Sequence, residues 1–184
     1  SEDTRGGPFD ILIFLPSAFF FRPYIPDYGR STLSATEAEM VKYASNVFGY
    51  IKVVFGNVLA DMCYAATHAL APTDYENVRS AIGADQRIGP AWLNVEHGSY
   101  HGAGGYCFPK DMDAFIAFSD TLREKLYRKR RDAHIRDSFF EIYDAGVDVL
   151  RSVRAYNQRL IQAQSLTMAE VSRHIGSLQL SRRQ

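Results

Sequence analysis

The chain has 184 residues, of which 46% are hydrophobic and 23% charged, which suits one domain with its own core. Its 21 Lys and Arg balance its 21 Asp and Glu, so we expect no nucleic-acid partner. Two cysteines cannot build a disulfide framework, and the five histidines lack metal-ligand spacing, so we expect a reduced, cytoplasmic protein without a metal.

The start of the chain has the features of a partly irregular arm. An apolar run at 9–15 is typical of a β-strand, and Pro23 and Pro26 argue against a helix after it. The polar, acidic N-terminus does not resemble a signal peptide, and the apolar stretch 11–21 is too short to span a bilayer. Because the chain begins with Ser1, we expect a processed protein or a piece of a longer one.

The strongest helix signal begins at a capping box, residues 34–37, whose side chains can satisfy free amides of a first turn. Apolar residues then recur at helical spacing to about Leu70. A second capping box at 73–76 predicts a short helix that Gly83 is placed to end. The sequence therefore predicts a mainly α fold from residue 34 onward.

A glycine-rich stretch at 98–105 follows, and its amides could cradle a ligand. It is not a dinucleotide-binding motif, because no G-x-G-x-x-G follows a predicted strand. We predict further helices from about Pro109 through a basic run, over 133–164, and from a capping box at 167–170 to about Leu180. The basic run at 125–131 is typical of a solvated helix face, with a phosphate or acidic partner as the alternative.

Cys107 is the most informative side chain of the chain. It follows two glycines and precedes Pro109, a residue that suits the first turn of a helix. The amides and the dipole at a helix N-terminus favour the thiolate, which is the nucleophilic form of cysteine. The alternative is an inert, buried cysteine after an ordinary glycine loop.

Three further polar residues are candidates for the same site. Lys42 and Asn46 share one face of the first helix, where a lysine could stabilise an oxyanion and an asparagine could orient water. Asp111, four residues after Cys107, could hold or deprotonate a water. The alternatives are a surface lysine, a solvated amide and a carboxylate that complements the helix dipole.

Four segments, in this order, resemble the UDP-glucose/GDP-mannose dehydrogenase family: 38–46, Asn57, 82–89 and 104–111. The resemblance covers residues 34–118 well and 140–165 loosely, and it corresponds to the family's central helical domain. In the family, that domain joins two Rossmann-like domains and forms the dimer. The resemblance therefore implies a helical central domain over 34–118, with an N-terminal arm at 1–33 and a charged helical insertion and C-terminal helices at 119–184.

The resemblance implies a role for each catalytic candidate. Family enzymes oxidise the alcohol of a nucleotide sugar to the acid in two NAD-dependent steps. Cys107 matches the nucleophile that holds the sugar as a thiohemiacetal and then as a thioester, and Lys42 matches the lysine that stabilises the oxyanion. Asn46 and Asp111 match the residues that position the hydrolytic water and assist proton transfer.

The resemblance also implies how substrate is bound. Arg87 matches an arginine that reaches the sugar nucleotide of the neighbouring subunit. The stretch 98–105 matches a substrate-binding loop, whose candidate binding residues are Gly98, Tyr100, Gly102, Gly104 and Gly105. NAD is the implied cofactor, although this chain carries no NAD-binding motif, and the implied partners are a nucleotide-sugar ligand and a second copy or a larger assembly.

Departures from the family leave three hypotheses open. About thirty residues precede the matched helix, too few for a nucleotide-binding domain, and the family has Asn-Glu where this chain has Asn57-Val58. The first hypothesis is a truncated dehydrogenase that acts only with the missing NAD- and sugar-nucleotide-binding domains. The second is a repurposed, non-catalytic dimerisation subunit, a pseudoenzyme whose exposed aromatic arm binds a partner. The third is a regulatory protein that binds a sugar nucleotide without redox chemistry.

Overall fold

The computed structural model describes residues 34–131 and 134–172. Within these ranges the chain forms five helices and one hairpin: α1 (Ala35–Ala69), α2 (Tyr75–Gly83), β1 (Glu96–His97), β2 (Tyr100–His101), α3 (Phe108–Arg128), α4 (Asp137–Ala163) and α5 (Met168–Val171). The mainly α fold is confirmed. The predicted strand at 9–15, the aromatic arm and the end of the last helix near Leu180 lie outside the described residues.

Helix starts follow the capping chemistry of the sequence, with one correction. Before α1, the Glu37 amide donates to the Ser34 hydroxyl at 3.3 Å and the Ser34 amide donates to the Glu37 carboxylate at 2.7 Å, as predicted. The prediction that Thr73 caps α2 is wrong: the cap is Asp74, whose carboxylate accepts from the Glu76 amide at 2.9 Å. Asp is favoured there because its side chain reaches the free amide two residues on.

The chain divides into two compact units, residues 1–45 and 46–184, and α1 contributes to both. Of the first unit the structure describes only 34–45, the first turns of α1. There the Ser45 hydroxyl donates to the Val41 carbonyl at 2.8 Å, and the Lys42 ammonium lies 5.1 Å from the centre of the Tyr43 ring.

The core of the second unit lies between α1, α3 and α4. Its buried members are apolar residues at helical spacing together with Ala103 of the loop before α3, namely Val47, Tyr50, Val53, Val54, Ala103, Met112, Ile116 and Val147. A second cluster joins β2, the end of α4 and α5 through Tyr100, Ile161 and Val171. The stretch that carries Cys107 runs from this second cluster to the first, so it is fixed at both ends.

Tyrosine hydroxyls tie the long helices together at their edges. Tyr143 donates to the Ser119 carbonyl at 2.9 Å, which links α4 to α3. Tyr156 donates to the Asp61 carboxylate at 2.8 Å, which links α4 to α1. Burial, together with the negative charge of Asp61, raises the pKa of Tyr156 to about 12, so this hydroxyl stays protonated at neutral pH.

By length and hydropathy, α1 is the one helix among the described residues that could cross a membrane. This is weak evidence, because the central helix of a water-soluble core passes the same test. Tyr50, Val53 and Asn57 of α1 are buried within the second unit. That burial favours a core helix.

Candidate active site around Cys107

The structure places Cys107 at the N-terminus of α3, as the sequence predicts. Cys107 is the N-cap residue, Pro109 lies in the first turn, and the Asp111 amide donates to the Cys107 carbonyl at 2.9 Å. The Cys107 side chain is exposed, whereas Cys63 is buried. Cys107 is therefore not the buried cysteine of the alternative interpretation, and its thiol is accessible to a ligand.

Phe108 anchors the start of α3 on the rest of the molecule. Its ring meets Trp92 edge-on, with 5.9 Å between ring centres, and packs against the core. On its other side it approaches Gly49 so closely that a Cβ there would lie 2.7 Å from Phe108 Cζ. Since Phe108 directly follows Cys107, this packing fixes the backbone that carries the sulfur.

The structure brings together two of the predicted site residues. The Asn46 side-chain amide donates to Asp111 Oδ2 at 2.5 Å across 65 residues of sequence. The Asp111 side chain is only 1% exposed, and its other oxygen forms an ion pair with the Lys110 ammonium. A buried carboxylate requires such partners, because removing it from water without them costs several kcal/mol. Asp111 is therefore held in a fixed orientation one helical turn after Cys107.

Lys42 belongs to the first compact unit, and Cys107, Asn46 and Asp111 belong to the second. The approach of the Lys42 ammonium to the Cys107 sulfur therefore stays a prediction. Lys42 and Asn46 both lie in α1, four residues apart, as predicted.

The glycine stretch is a hairpin followed by a tight turn. The hairpin was not predicted from the sequence. Gly98 lies in the two-residue turn between β1 and β2, with φ at 73°. Gly102, at φ 105°, adopts a backbone conformation that a residue with a Cβ rarely takes. A Cβ at Gly104 would lie 2.8 Å from ring carbons of Tyr100. The Tyr100 side chain is buried in the second cluster, so a contact between it and a substrate stays a prediction.

Asn157 of α4 and Gln164, the C-cap residue of α4, hold this stretch in place, and neither role was predicted from the sequence. The buried Asn157 side chain accepts from the Ala103 amide at 2.7 Å and donates to the Ala103 carbonyl at 2.9 Å. The Gln164 side chain does the same with His101, at 2.7 and 2.9 Å. The sequence did carry a signal for Asn157, since it lies in the apolar repeat of α4, four residues before Ile161, where a polar residue needs buried partners.

Arg87 lies on an exposed loop. Its guanidinium pairs with the Asp85 carboxylate at 2.6 Å, and its side chain is 89% exposed. The Asp85 pKa is lowered, chiefly because Arg87 donates hydrogen bonds to the charged carboxylate. Lys52 of α1 holds the loop by donating to the carbonyls of Ile88 and Gly89, at 2.6 and 2.9 Å. Arg87 is thus free on its outer side to meet a ligand or a second chain.

A cleft of about 500 Å³ opens beside the start of α3. It lies between α1, α3, α4 and α5, and its polar lining includes Tyr50, Tyr106, Lys110, Asp113, Arg154 and Gln158. Arg154 and Asp113 form an ion pair, so the charges in this lining are of both signs. Tyr106 and Pro109 of this lining flank Cys107 in the sequence, so the cleft lies beside the segment that carries the candidate nucleophile.

Comparison with known proteins is consistent with this geometry. Residues 36–132 match the model of the UDP-glucose/GDP-mannose dehydrogenase family, central domain. Similar proteins include the UDP-glucose 6-dehydrogenase of Pseudomonas aeruginosa, 39% identical over 97 residues, and UDP-glucose 6-dehydrogenase AglM of Haloferax volcanii, 40% identical over 103 residues. The aligned part is 52% and 54% of this chain but only 19% and 22% of those proteins. The chain thus spans about a fifth of the length of the relatives it matches.

Proposed function

Because the chain belongs to the UDP-glucose/GDP-mannose dehydrogenase family, we propose that it carries the covalent centre of a nucleotide-sugar 6-dehydrogenase. The observation that supports this most directly is the hydrogen bond from the partly buried Asn46 to the buried Asp111, one helical turn after an exposed Cys107 at a helix N-terminus. A structural core gains nothing from burying a carboxylate that a hydrophobic residue could replace. An active site does gain from a fixed charge beside a nucleophile.

Each residue has a distinct task in this proposal. The Cys107 thiolate adds to the C6 aldehyde carbon of the sugar, and the carbonyl oxygen becomes an oxyanion that the Lys42 ammonium stabilises. After oxidation to the thioester, a water attacks the acyl carbon and Cys107 leaves as the thiolate. Asp111 accepts the proton of that water, and Asn46 keeps the carboxylate and the water in place.

The described residues do not fit a nicotinamide dinucleotide. Such a cofactor binds at the carboxyl ends of parallel strands, next to a glycine-rich turn and a helix N-terminus. In the described ranges the strands β1 and β2 form only an antiparallel hairpin. NAD supplies the two-electron oxidation in this family, and we assign none of the described residues to it. Activity therefore depends on further polypeptide, in agreement with the greater length of the relatives.

We also propose that two copies pair through α1. Phe48, Phe55 and Met62 recur every seventh residue and are 63%, 54% and 63% exposed, with Ile51 and Val58 between them. Seven residues are almost two helical turns, so these side chains form one apolar stripe, and such stripes pair with a second helix. Replacing Phe55 by Glu is expected to give a monomer in sedimentation. Tyr64→Glu, on the opposite face of α1, is expected to leave the dimer intact. A wild-type monomer at micromolar concentration would contradict this part of the proposal.

We place the protein in the cytoplasm, because both cysteines are unpaired and the chemistry needs a reduced Cys107. This setting also supplies a nucleotide sugar as the ligand. The proposal predicts that both thiols titrate as free in protein purified without reductant under argon.

The experiment that tests the function is selective labelling of Cys107. An electrophilic analogue of UDP-glucose is incubated with the chain, and mass spectrometry follows adducts on Cys107 and Cys63. We expect Cys107 to react faster than Cys63, and we expect excess UDP-glucose to slow Cys107 alone. Iodoacetamide is the control for exposure, since it needs no binding site.

Two outcomes separate the hypotheses. Iodoacetamide gives the ratio of labelling rates at Cys107 and Cys63 that exposure alone predicts. If the UDP-glucose analogue gives no higher ratio, the catalytic proposal is refuted. In that case a stable dimer would support the non-catalytic dimerisation subunit. Protection by UDP-glucose without selective adduct formation would support the regulatory binder.

A further inference from the structure

Two side-chain amides, one in α4 and one at its C-cap, pair with alternate residues of the same loop segment. We propose that Asn157 and Gln164 form an amide clamp, which holds residues 101–103 against the end of α4 and thereby positions Cys107. Both are positioning residues, because they act through the backbone and do not touch a reacting atom. The catalytic importance of Cys107 rests on the proposed function, whereas the existence of the clamp does not depend on that function.

The clamp meets the backbone on both sides of Gly102. The chain bends at Gly102 and Ala103, and Gly102 has a φ of 105°. His101 and Ala103 present their amides and carbonyls to the end of α4, and each meets one side-chain amide as both donor and acceptor. Gln164 is the C-cap residue of α4 and follows Asn157 by seven residues, almost two full turns, so both side chains lie on the same side of the end of α4. The carboxamide group is the side chain that can supply one donor and one acceptor side by side.

At Ala103 the clamp satisfies backbone groups that are buried. Ala103 is buried, and its amide and carbonyl are satisfied by Asn157, which is itself buried. At Gly102 a Cβ would lie 2.8 Å from the Asn157 oxygen, so the glycine is what lets the segment approach α4 so closely. Without the clamp, the glycine-rich segment would regain the conformational freedom that glycine has in the absence of contacts.

Cys107 lies four residues beyond the clamped Ala103. The intervening turn has one further tether, from the Gly105 amide to the Val171 carbonyl at 2.8 Å. After Cys107, the Phe108 ring is fixed against Trp92. Cys107 thus lies between two fixed parts of the chain, the clamped segment before it and the packed Phe108 ring after it. The clamp supplies most of the hydrogen bonds that fix the first part.

The test uses variants of Gln164, because this residue is only partly buried and the chain can fold without its amide. Gln164→Ala removes both hydrogen bonds to His101 and one to the Leu160 carbonyl, and Gln164→Glu keeps the acceptor but loses the donor. Gln162→Ala is the matched control, an exposed glutamine two residues away for which the structure shows no side-chain hydrogen bond. Circular dichroism checks that each variant remains helical.

The first readout is amide hydrogen exchange at His101 and Ala103. We expect Gln164→Ala to speed exchange at His101 by at least about fivefold, since one net hydrogen bond corresponds to a factor of about 2–12. Gln164→Glu is expected to be intermediate, and Gln162→Ala to match the wild type. Equal exchange at His101 in Gln164→Ala and Gln162→Ala would overturn the clamp.

The second readout is the ratio of iodoacetamide alkylation rates at Cys107 and Cys63. We expect this ratio to change at least about threefold in Gln164→Ala, with Gln164→Glu between it and the wild type. Faster exchange at His101 with an unchanged ratio would overturn the positioning role. Asn157→Asp provides a second test, because it keeps the shape and the acceptor but places an oxygen against the Ala103 carbonyl. We expect it to change the ratio more than Gln164→Ala does, and an unchanged ratio in Asn157→Asp would also overturn the positioning role.

Neither readout uses a nucleotide sugar. If the clamp holds but the UDP-glucose analogue does not label Cys107 selectively, the proposed function alone is refuted. If selective labelling persists unchanged in Gln164→Ala, the positioning role alone is refuted.

Discussion

Gly49 allows the ring that follows the candidate nucleophile to pack directly on α1, and replacing it tests how Cys107 is positioned. In Gly49→Ala the new methyl group would lie 2.7 Å from Phe108 Cζ, 3.2 Å from Phe108 Cε1 and 3.3 Å from Trp92 Cδ2. The first distance is too short for two carbons, so the Phe108 ring must move. Phe108 cannot swing away freely, because it packs against Trp92 and the core.

The magnitude follows from two opposing contributions. An alanine in a helix interior is more favourable than a glycine by about 1 kcal/mol. Overpacking a filled site costs about 1–3 kcal/mol. Gly49→Ala is therefore expected to lower the free energy of unfolding by about 0–2 kcal/mol.

Gly146→Ala is the matched control. Gly146 lies inside α4, and a Cβ there would meet no atom within 4 Å. This variant has the helix-propensity gain without the collision, so it is expected to stabilise the chain by up to about 1 kcal/mol. The propensity contribution cancels in the difference between the two variants. That difference, about 1–3 kcal/mol, is the packing cost at Phe108.

Urea unfolding followed by circular dichroism measures both variants under identical conditions. For a chain of this size, 1 kcal/mol corresponds to a shift in melting temperature of about 2–4 °C, so thermal scans can resolve the difference. Gly49→Ala is also expected to change the alkylation rate of Cys107, because Phe108 is its neighbour. If Gly49→Ala were as stable as Gly146→Ala, the packing of Phe108 would not constrain the start of α3.

Three further predictions follow from individual contacts. Asn46→Leu is expected to cost about 1–3 kcal/mol in urea unfolding, because the buried Asp111 carboxylate loses a donor, and a cost near zero would contradict the pairing. The pKa of His97 is lowered, first by burial and then by the charge of His101, so the folded chain binds this proton less readily than the unfolded chain. The stability that the neutral imidazole contributes is therefore present above about pH 6.5 and falls as the pH drops below it. His97→Gln is expected to remove that part of the pH dependence in urea titrations. Thr167→Ala is expected to cost about 1 kcal/mol, because it breaks the capping box of α5, while Ser165→Ala serves as a control outside the box.

Local chemistry in the sequence was sufficient for most of the fold. The capping box at 34–37 and the apolar repeat behind it predicted α1 nearly to the residue, because both depend on contacts within one or two turns. The box at 167–170 likewise predicted the start of α5. The error at Thr73 also has a local reason, since Asp74 next to it is an equally good cap and competes for the same amides.

The hairpin of β1 and β2 could not be predicted in the same way. Each strand has two residues, too short for an alternating pattern to be recognised. The segment is held largely by contacts from α4, more than fifty residues away in the sequence. Distant contacts leave no periodic signal in the segment that receives them.

The sequence by itself determined most of the helices, the position of Cys107 at the start of α3 and the family to which the chain belongs, whereas the exposure of Cys107 was decided by the tertiary structure. Only the tertiary structure decided that Asn46 meets Asp111, that Phe108 rests on Gly49 and that Asn157 holds Ala103. Helix formation depends on neighbours along the chain, so it is visible in the order of residues. The pairing of a buried polar group depends on which distant side chain the packed core brings within reach, and that is fixed only when the core forms.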